Sequence, residues 1–338
     1  MVVGDPWAKI DPSRLRPLGA AGFQEPMLAT LTDRRFSDPD WIFERKLDGV
    51  RAIVVRDGGR PQLFSRNNKT MDRAYPELVD ALDDQPETRF VADGEIVAFD
   101  GRQTSFSRLQ PRMHLTDPAK ARATGIAVFL YLFDLLAYSS VDLTQLDLRA
   151  RKTLLRAGFH FDDPIRYASH RNENGEDFYR QACASGWEGL IAKRAASTYQ
   201  HGRSKDWLKL KCSYGQEFVV GGFTDPQGSR SDFGALLMGH YADGDLHYAG
   251  KVGTGFDQRT LRDLRRRMEP LIRSTSPFSH PVRDKVDERT VHWVEPELVV
   301  QIEFSEWTGD GRLRHPRFVG LRQDKPAREV VREAGPAL

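Results

Sequence analysis

The sequence predicts two domains: an α+β domain built mainly on antiparallel strands, followed by a smaller β-barrel domain. The chain has 338 residues, which is long for a single hydrophobic core and sufficient for two. Its composition, with 39% hydrophobic and 29% charged residues, is typical of a folded protein rather than a disordered one. Strands and helices are mixed up to Tyr214, whereas strands dominate beyond it. We therefore expect domains at residues 1–214 and 215–338.

Short runs of β-forming residues, separated by polar turns, occupy the segment from Trp41 to Phe99. We predict that these strands pair as antiparallel hairpins, with one helix before the last strand. In chain order the segments are "WIFERK", "RAIVVRD", "PQLFSR", the helix "YPELVDALDD", and "RFVADGEIVAFDG".

The rest of the first domain contains a long apolar strand, "IAVFLYLFDLLAY", and two helices. The first helix, "LDLRARKTLLRAG", has leucines at helical spacing, and the second, "GEDFYRQACASG", is expected to end at Gly186. Strands and helices do not alternate as they would in a parallel sheet, which favours the α+β class.

The second domain contains strand-like segments joined by glycine-rich turns, namely "EFVVGGF", "ALLMGHYADGDLHYAGKVGTGF" and "ELVVQIEFSEWT". One basic helix, "DQRTLRDLRRRMEPLI", interrupts them. This order is typical of a small Greek-key barrel of the oligonucleotide-binding type, the OB-fold.

Charge, cysteines and hydropathy narrow the class of protein further. The formal net charge is +2, from 50 basic and 48 acidic side chains, which neither requires nor excludes a polyanionic partner. Cys183 and Cys212 lack CxxC or Cys/His spacing, so we expect no zinc site and no disulfide framework, but reduced thiols in a cytoplasmic protein. No apolar run approaches the roughly 18 residues of a membrane span, and the N-terminus has no signal-peptide core, so neither membrane insertion nor secretion is expected.

The segment "FERKLDGVRA" places Lys46 at the end of a predicted buried strand. A buried ammonium is costly, so the side chain either reaches solvent, which is the commoner outcome, or its amine is required in a site. A lysine that attacks a phosphate needs carboxylates for a metal, cations for the phosphates, an aromatic face for the base and a carboxylate for the ribose. The chain supplies all of these.

Six segments carry those groups in a fixed order: "KLDGVR" (46–51), "SRN" (65–67), "DGEIVAF" (93–99), "YLFDLL" (131–136), "EGLIAKR" (188–194) and "WLKLK" (207–211). They resemble the ordered motifs of the covalent nucleotidyltransferases, which include polynucleotide ligases and messenger-RNA capping enzymes. A KxDG tetrapeptide alone is a weak signal, whereas six ordered elements are a strong one. The closest resemblance, over roughly residues 24–332, is to ATP-dependent DNA ligases and among them to the ligase module of the bacterial end-joining enzyme ligase D.

The resemblance implies that Lys46 attacks the α-phosphorus of ATP and forms a lysyl-AMP, with Mg²⁺ or Mn²⁺ as the metal. We expect neighbouring cations or the metal to lower the pKa of Lys46, so that some neutral amine exists. Asp48 and Glu188 resemble the carboxylates near the metal, although Asp-Gly could equally form a simple turn. A dedicated ligand cage is not expected, because magnesium favours one or two carboxylates together with phosphate oxygens.

The nucleotide contacts are also implied by the resemblance. Arg51 and Glu95 resemble the residues that hold the ribose hydroxyls. Phe133 resembles the aromatic that stacks on adenine, although by spacing alone it would be an ordinary core residue. Glu44 resembles the residue whose segment contacts the adenine amino group.

Several cations resemble phosphate contacts. Lys209 and Lys211 are expected beside the α-phosphate, where positive charge stabilises the transition state. Lys193 is a further cation expected to bind the nucleotide. Arg66 resembles the residue that grips the 5′-phosphate of a nick.

The segment "RLRHPRFVGLRQDK" (312–325) resembles the C-terminal ligase motif, which orients the β- and γ-phosphates. Its candidates are Arg314, Arg317, Arg322, Asp324 and Lys325. The same basic residues could instead face DNA. Their location in the second domain implies that the domains close and reopen between steps.

We therefore expect a monomeric ATP-dependent DNA ligase acting on nicked or broken duplex DNA, in the cytoplasm and associated with the bacterial nucleoid. The resemblance to ligase D suggests double-strand-break repair with the Ku protein and an end-processing polymerase or nuclease; those modules are missing from this chain, so it would be a stand-alone relative or an excised domain. The alternatives are an RNA ligase, a capping-type guanylyltransferase and a catalytically idle module that binds DNA ends.

Overall fold

The computed structural model describes residues 6–212, 214–226, 228, 231–282, 288–304 and 306–333. The chain divides into two compact units, Met1–Cys212 and Ser213–Leu338. Each unit has hydrophobic clusters of its own.

The described part of the first unit combines strands of 2 to 12 residues with five α-helices of 4 to 11 residues. Its strands are β1 (Arg16–Pro17), β2 (Met27–Leu31), β3 (Asp38–Arg45), β4 (Val50–Asp57), β5 (Gln62–Ser65), β6 (Arg89–Asp100), β7 (Gln103–Thr104), β8 (Val128–Tyr138), β9 (Val141–Asp142), β10 (Ile165–Tyr167), β11 (His170–Glu173), β12 (Gly189–Arg194) and β13 (Gly202–Lys211). Its helices are α1 (Pro76–Asp83), α2 (Phe106–Leu109), α3 (Pro118–Ala123), α4 (Leu148–Gly158) and α5 (Gly175–Ala184).

These strands form two sheets. The first sheet has the order β1-β9-β8-β6-β4-β5, with β10 beside β8 and β7 beside β6. The second sheet has the order β11-β3-β12-β13-β2. Most pairs are antiparallel, as expected, but β10 runs parallel to β8 and β13 runs parallel to β2.

One predicted hairpin is wrong. The segments "WIFERK" and "RAIVVRD" become β3 and β4, which belong to different sheets rather than pairing with each other. The chain crosses from the second sheet to the first at residues 46–49. A Cβ on Gly49 would lie 2.2 Å from the carbonyl oxygen of Ile96, so only glycine fits this crossing. The hairpin of β4 with β5 and the pairing of β4 with β6 are present.

Strand alternation divides the apolar residues of the first unit into layers. Phe133 and Ile53 of the first sheet pack with Trp207 and Met27 of the second, so this cluster lies between the two sheets. A second cluster covers the other face of the first sheet and includes residues of α1 and α4. A third covers the outer face of the second sheet, where Phe178 of α5 packs.

Helix α4 buries charged residues on its inner face. Leu148, Arg151, Lys152 and Leu155 are buried and follow the i, i+3, i+4, i+7 spacing of a single helix face. Both cations therefore point toward the protein interior rather than toward solvent, and each requires a buried partner.

The two cysteines do not match the sequence prediction. Cys183, near the end of α5, and Cys212, directly after β13, form a disulfide with a Cα–Cα distance of 5.2 Å. The expectation of reduced thiols was wrong, because residue spacing did not show that the helix end packs beside the strand end. Both cysteines belong to the cluster on the outer face of the second sheet.

The second unit is β-rich, as predicted. Its elements are β14 (Tyr214–Thr224), β15 (Leu236–Ala242), β16 (Asp245–Val252), α6 (Gln258–Met268), β17 (Ile272–Arg273), β18 (Val291–Val294), β19 (Val299–Phe304), β20 (Glu306–Trp307), β21 (Leu313–Arg314) and β22 (Arg317–Arg322). The long β14 pairs with β19 along its first part and with β18 along its last part, while β15 flanks it, so the sheet curls around one core.

Across the described residues, every helix is too short or too polar to traverse a lipid bilayer.

Candidate active site

Lys46 directly follows β3 and faces the space between the two sheets. Its backbone N–H donates to the carbonyl oxygen of Gly189 at 2.9 Å, which extends the pairing of β3 with β12 by one residue. Its Nζ lies 2.5 Å from Oε1 of Glu188, and both side chains are about three-quarters buried. The strand therefore ends on a lysine that is paired inside the protein instead of reaching solvent.

Gly189 makes this pairing possible. Its φ of +150° is accessible mainly to glycine, and a Cβ there would lie 2.0 Å from the carbonyl oxygen of Leu210. Leu190 packs in the cluster on the outer face of the second sheet. Regular alternation would put Glu188 on that same outer face, whereas the irregular backbone at Gly189 turns Glu188 inward toward Lys46.

Carboxylates, not cations, dominate the surroundings of Lys46. Burial alone would lower its pKa, but Glu188, followed by Asp48 and Glu95, outweighs burial and holds the pKa of Lys46 above its ordinary value. The sequence prediction called for neighbouring cations or a metal to lower this pKa, and the protein side chains alone hold it above its ordinary value. Other positive charge must offset these carboxylates before the amine can act as a nucleophile.

The carboxylates near Lys46 fit a divalent cation. Oε2 of Glu188 is buried and has no hydrogen-bond partner, although its sister oxygen pairs with Lys46. Asp48 is oriented by its own contacts, since its Oδ2 accepts from the Phe106 N–H at 2.9 Å. Among the described residues, no three His, Cys, Asp or Glu side chains form a metal-binding group. The arrangement suits magnesium, which takes few protein ligands together with phosphate oxygens.

Arg51 on β4 pairs with a residue to which the sequence prediction gave no role. Its Nε and Nη2 each lie 2.5 Å from an oxygen of Asp93, which is fully buried. Tyr199 donates its hydroxyl to the same carboxylate at 2.6 Å. Glu95 is the Cα partner of Arg51 across β4 and β6, so the two predicted ribose contacts lie side by side on one sheet.

Phe133 lies at the centre of the cluster between the sheets. It is 8% exposed, and the Trp207 ring meets it edge-on at a centroid distance of 6.0 Å. Two cations approach its ring, the Nζ of Lys193 at 4.2 Å and the guanidinium of Arg51 at 4.7 Å. The residue is thus both a core side chain and a neighbour of predicted nucleotide contacts.

Glu44 lies two residues before Lys46, on the same face of β3, and is 3% exposed. Its Oε1 lies 2.5 Å from Nζ of Lys152, and its Oε2 lies 2.7 Å from Nζ of Lys193. Burial alone would raise the pKa of Glu44, but these two ammonium groups outweigh it and hold the pKa below its ordinary value. Glu44 is therefore a buried carboxylate.

Lys193, a predicted nucleotide-binding cation, lies in the interior of the first unit. It is 2% exposed and pairs with Glu44. Burial lowers the pKa of Lys193 to about 8, against the opposing effect of Glu44. On β12, Lys193 is the Cα partner of Trp207, four residues along the strand from Gly189.

Lys209 and Lys211 alternate with Leu208 and Leu210 on β13. The two leucines pack in the outer cluster, so both lysines lie on the inner face with Lys46. Lys211 is the Cα partner of Gly189, whose backbone in turn pairs with Lys46. Both lysines are half-buried.

Arg66 follows β5, directly after Ser65, which pairs with Ala52 of β4. Register therefore brings Arg66 to the edge of the first sheet, level with Arg51 on the neighbouring strand. It is half-buried.

The C-terminal candidates lie in the second unit. Arg322 forms a bidentate pair with Asp324, with N–O distances of 2.9 and 2.8 Å. Lys325 lies 3.2 Å from Glu217 of β14. Arg314 and Arg317 are exposed.

The sequence prediction missed Asp93, Lys152 and Tyr199. A signal existed for Lys152, which shares a helical face with leucines. Asp93 stands within the quoted "DGEIVAF", in the middle of an otherwise apolar strand. Only the fold shows that Tyr199 reaches Asp93.

Family models match both units. The model described as the ATP dependent DNA ligase domain matches residues 26–211, and that of the ATP dependent DNA ligase C-terminal region matches residues 229–325. The chain is also similar to two multifunctional non-homologous end joining proteins named LigD. One, from Pseudomonas aeruginosa, is 37% identical over 92% of this chain and 37% of that protein. The other, from Mycobacterium tuberculosis, is 37% identical over 91% of this chain and 40% of that protein.

A solved structure, mycobacterial DNA ligase D complexed with ATP and MES, is 34% identical to this chain. It aligns with a TM-score of 0.67 and covers 91% of this chain and 98% of the solved chain. The chain spans well under half the length of the two curated relatives.

Proposed function

The chain belongs to the ATP-dependent DNA ligase family, and from that premise we propose that it seals duplex DNA through a lysyl-AMP on Lys46. The relation between Lys46 and Glu188 is the observation that carries this proposal. One Glu188 oxygen lies 2.5 Å from the amine, and the other is buried without a hydrogen-bond partner. A nucleophile and a vacant carboxylate oxygen thus lie together, as phosphoryl transfer requires.

The first step forms the lysyl-AMP. The Lys46 ammonium loses one proton, for which Glu188 Oε1 is the nearest acceptor. The nitrogen then forms a bond to the α-phosphorus of ATP while the bond to the pyrophosphate oxygen breaks, and its second proton leaves to the departing pyrophosphate or to solvent, which gives the phosphoramidate. Lys209 and Lys211, on the same face, supply positive charge to the phosphate oxygens as the reaction proceeds.

Glu188 and Asp48 would hold a Mg²⁺ or Mn²⁺ ion, whose chemistry when bound is to offset these carboxylates and the charge on the phosphate oxygens. The surroundings of Lys46 lack that positive charge, because the nearby carboxylates hold the pKa of its amine above the ordinary value.

The buried pair of Glu44 and Lys193 supports ATP over GTP. Glu44 offers acceptor oxygens, and the Lys193 ammonium has no acceptor other than Glu44 in the described part of the chain. Adenine presents a donor, its 6-amino group, next to an acceptor, N1, whereas guanine presents the opposite order at these positions. Glu44 as acceptor beside Lys193 as donor therefore matches adenine. The centroid of the Phe133 ring lies 4.2 Å from the Nζ of Lys193. Arg51 and Glu95, side by side, suit the ribose hydroxyls.

In the later steps AMP passes to a DNA 5′-phosphate, and a 3′-hydroxyl then displaces it. We assign the grip on the 5′-phosphate to Arg66, and the orientation of the leaving pyrophosphate to Arg322, Asp324 and Lys325. The latter assignment requires the second unit to act at the site during the first step.

The names of the two LigD relatives point to end joining. On that basis we propose that the chain repairs double-strand breaks as a monomer in the bacterial cytoplasm, with Ku and end-processing enzymes as partners. An RNA ligase is a second candidate, because none of the roles assigned above distinguishes a strand with a 2′-hydroxyl from one without it.

One assay separates these candidates. The protein is incubated with α-labelled ATP or GTP and Mg²⁺, and then with nicked DNA or nicked RNA duplexes. We expect label on the protein from ATP, and sealing of the DNA nick. Label from GTP without sealing would indicate a capping-type enzyme, sealing confined to RNA would indicate an RNA ligase, and no label from either nucleotide would contradict both ligase assignments.

A further inference from the structure

Lys152 of α4 is a buried lysine with three oxygen partners from three different segments. Its Nζ lies 2.5 Å from Oε1 of Glu44 on β3, 3.0 Å from the carbonyl oxygen of Ala168, and 3.3 Å from that of Phe133 on β8. An ammonium has three N–H donors, so these three acceptors satisfy it. One side chain thereby ties the second sheet to the first.

The two lysines at Glu44 are not equivalent. Among the described residues, Lys193 forms its ion pair with Glu44, and its Nζ lies 4.2 and 4.1 Å from the ring centroids of Phe133 and Trp207. Its donors are therefore available to a bound base, whereas those of Lys152 are all used within the protein. The contacts of Lys152 therefore suit a residue that holds protein groups in place, whereas those of Lys193 suit a residue that donates to a ligand.

The partners of Lys152 are themselves the groups assigned to the base. Glu44 would accept from the 6-amino group, and Phe133 would lie against the ring. Lys152 holds the carboxylate of the first and the backbone carbonyl of the second. A displacement of Lys152 would shift both groups together, and a shift of about 1 Å is enough to lose a directed contact.

We propose that Lys152 is a positioning residue for base recognition: it fixes Glu44 and the backbone of Phe133 so that the site selects a purine with a 6-amino group. The proposal rests on the proposed ligase function, because it assumes that ATP binds between the two sheets. Lys152 itself does not touch the nucleotide.

A purely structural role for Lys152 makes a different prediction. Removing one partner of a buried ion pair destabilises a protein, and any resulting loss of folded protein lowers activity with every nucleotide alike. A positioning role changes the preference between nucleotides, because a shift of Phe133 affects every purine nucleotide, whereas the lost contact to the 6-amino group affects ATP alone. The ratio of kcat/KM for ATP to kcat/KM for a nucleotide without the 6-amino group therefore separates the two roles.

The test compares ATP with purine ribonucleoside triphosphate, which lacks the 6-amino group. Lysine adenylation is measured as kcat/KM for the wild type, Lys152→Met and Lys152→Gln. The glutamine variant retains donors for the two carbonyl oxygens but not the charge that pairs with Glu44. We expect the kcat/KM ratio of ATP to the analogue to fall about 10- to 100-fold, the effect of one hydrogen bond to a charged group, because the analogue is affected only through Phe133.

Two further variants are controls. Arg112 is 1% exposed and forms a buried ion pair with Glu77 on the other face of the first sheet, so Arg112→Met should cost stability without changing the nucleotide ratio. Glu44→Gln should lose the ATP preference by itself, and adding Lys152→Met should change the ratio no further if Lys152 acts through Glu44.

Equal losses with both nucleotides in the Lys152 variants, from a wild type that forms lysyl-AMP, would overturn the role of Lys152 and leave the ligase function standing. A wild type that forms no lysyl-AMP would overturn the ligase function, and this inference with it.

Discussion

Gly189 of β12 lies directly opposite Lys211 of β13, while its carbonyl oxygen accepts the backbone N–H of Lys46. A residue without a side chain therefore lies on β12 between two predicted catalytic lysines, Lys46 at the end of β3 and Lys211 on β13. The same glycine turns Glu188 inward, so one backbone position organises three charged groups.

Gly189→Ala should therefore damage the site severely. The new Cβ would meet the carbonyl oxygen of Leu210 at 2.0 Å, and a φ of +150° is strained for alanine by about 1–3 kcal/mol. We expect lower stability in urea denaturation and a larger loss of label transfer from ATP. Gly58→Ala is the matched control, since Gly58 also has a positive φ, of +78°, but nothing lies within 4 Å of its Cβ position. Normal label transfer by Gly189→Ala would refute this role.

Asp93→Asn should weaken both stability and ATP binding. The substitution leaves Arg51 without a buried counter-charge, and breaking such a pair typically costs about 3–5 kcal/mol. The free energy of unfolding and the KM for ATP report the two effects. If stability fell but the KM for ATP stayed constant, Asp93 would support the fold without positioning Arg51 for the nucleotide.

Arg66→Ala should separate the steps of the reaction. If Arg66 grips the 5′-phosphate of the nick, lysine adenylation stays near the wild-type rate while AMP transfer to DNA slows. Because a phosphate contact is lost, the salt dependence of DNA binding should also become shallower by about one counterion. Equal slowing of both steps would instead place Arg66 in the ATP site.

The double substitution Asp324→Ala/Lys325→Ala tests the C-terminal motif. If these residues orient pyrophosphate, they are needed only while a triphosphate occupies the site. Single-turnover assays should show a severe loss of lysine adenylation but near-normal sealing of a nick supplied already adenylated. A comparable loss in both assays would make the motif a DNA contact and remove the reason for domain closure in the first step.

The sequence predicted those parts of the fold that depend on local patterns. The strands of β4, β6 and β8 and the helices α1, α4 and α5 follow from periodicity, and all are present. The separation of β3 from β4 could not be predicted, because strand pairing depends on contacts distant in the sequence. For the same reason the disulfide between Cys183 and Cys212 was missed.

The site shows the same division. Motif order indicated Lys46 and Glu188, and the structure brings the two together. Motif order could not show that Lys193 pairs with Glu44, because that contact depends on the register of β12 against β3. Nor could motif order show that carboxylates raise the pKa of Lys46. Two of those carboxylates are distant in the sequence, since Glu95 lies on β6 and Glu188 directly precedes β12.

The most direct test of the central claim is to locate the covalent AMP. The protein is incubated with ATP and Mg²⁺ and digested, and the adenylated peptide is sequenced by mass spectrometry. The account predicts AMP on the Lys46 peptide alone, and none on Lys46→Ala or Lys46→Arg, because an arginine stays protonated and cannot attack. AMP on another lysine, or undiminished labelling of Lys46→Ala, would contradict it.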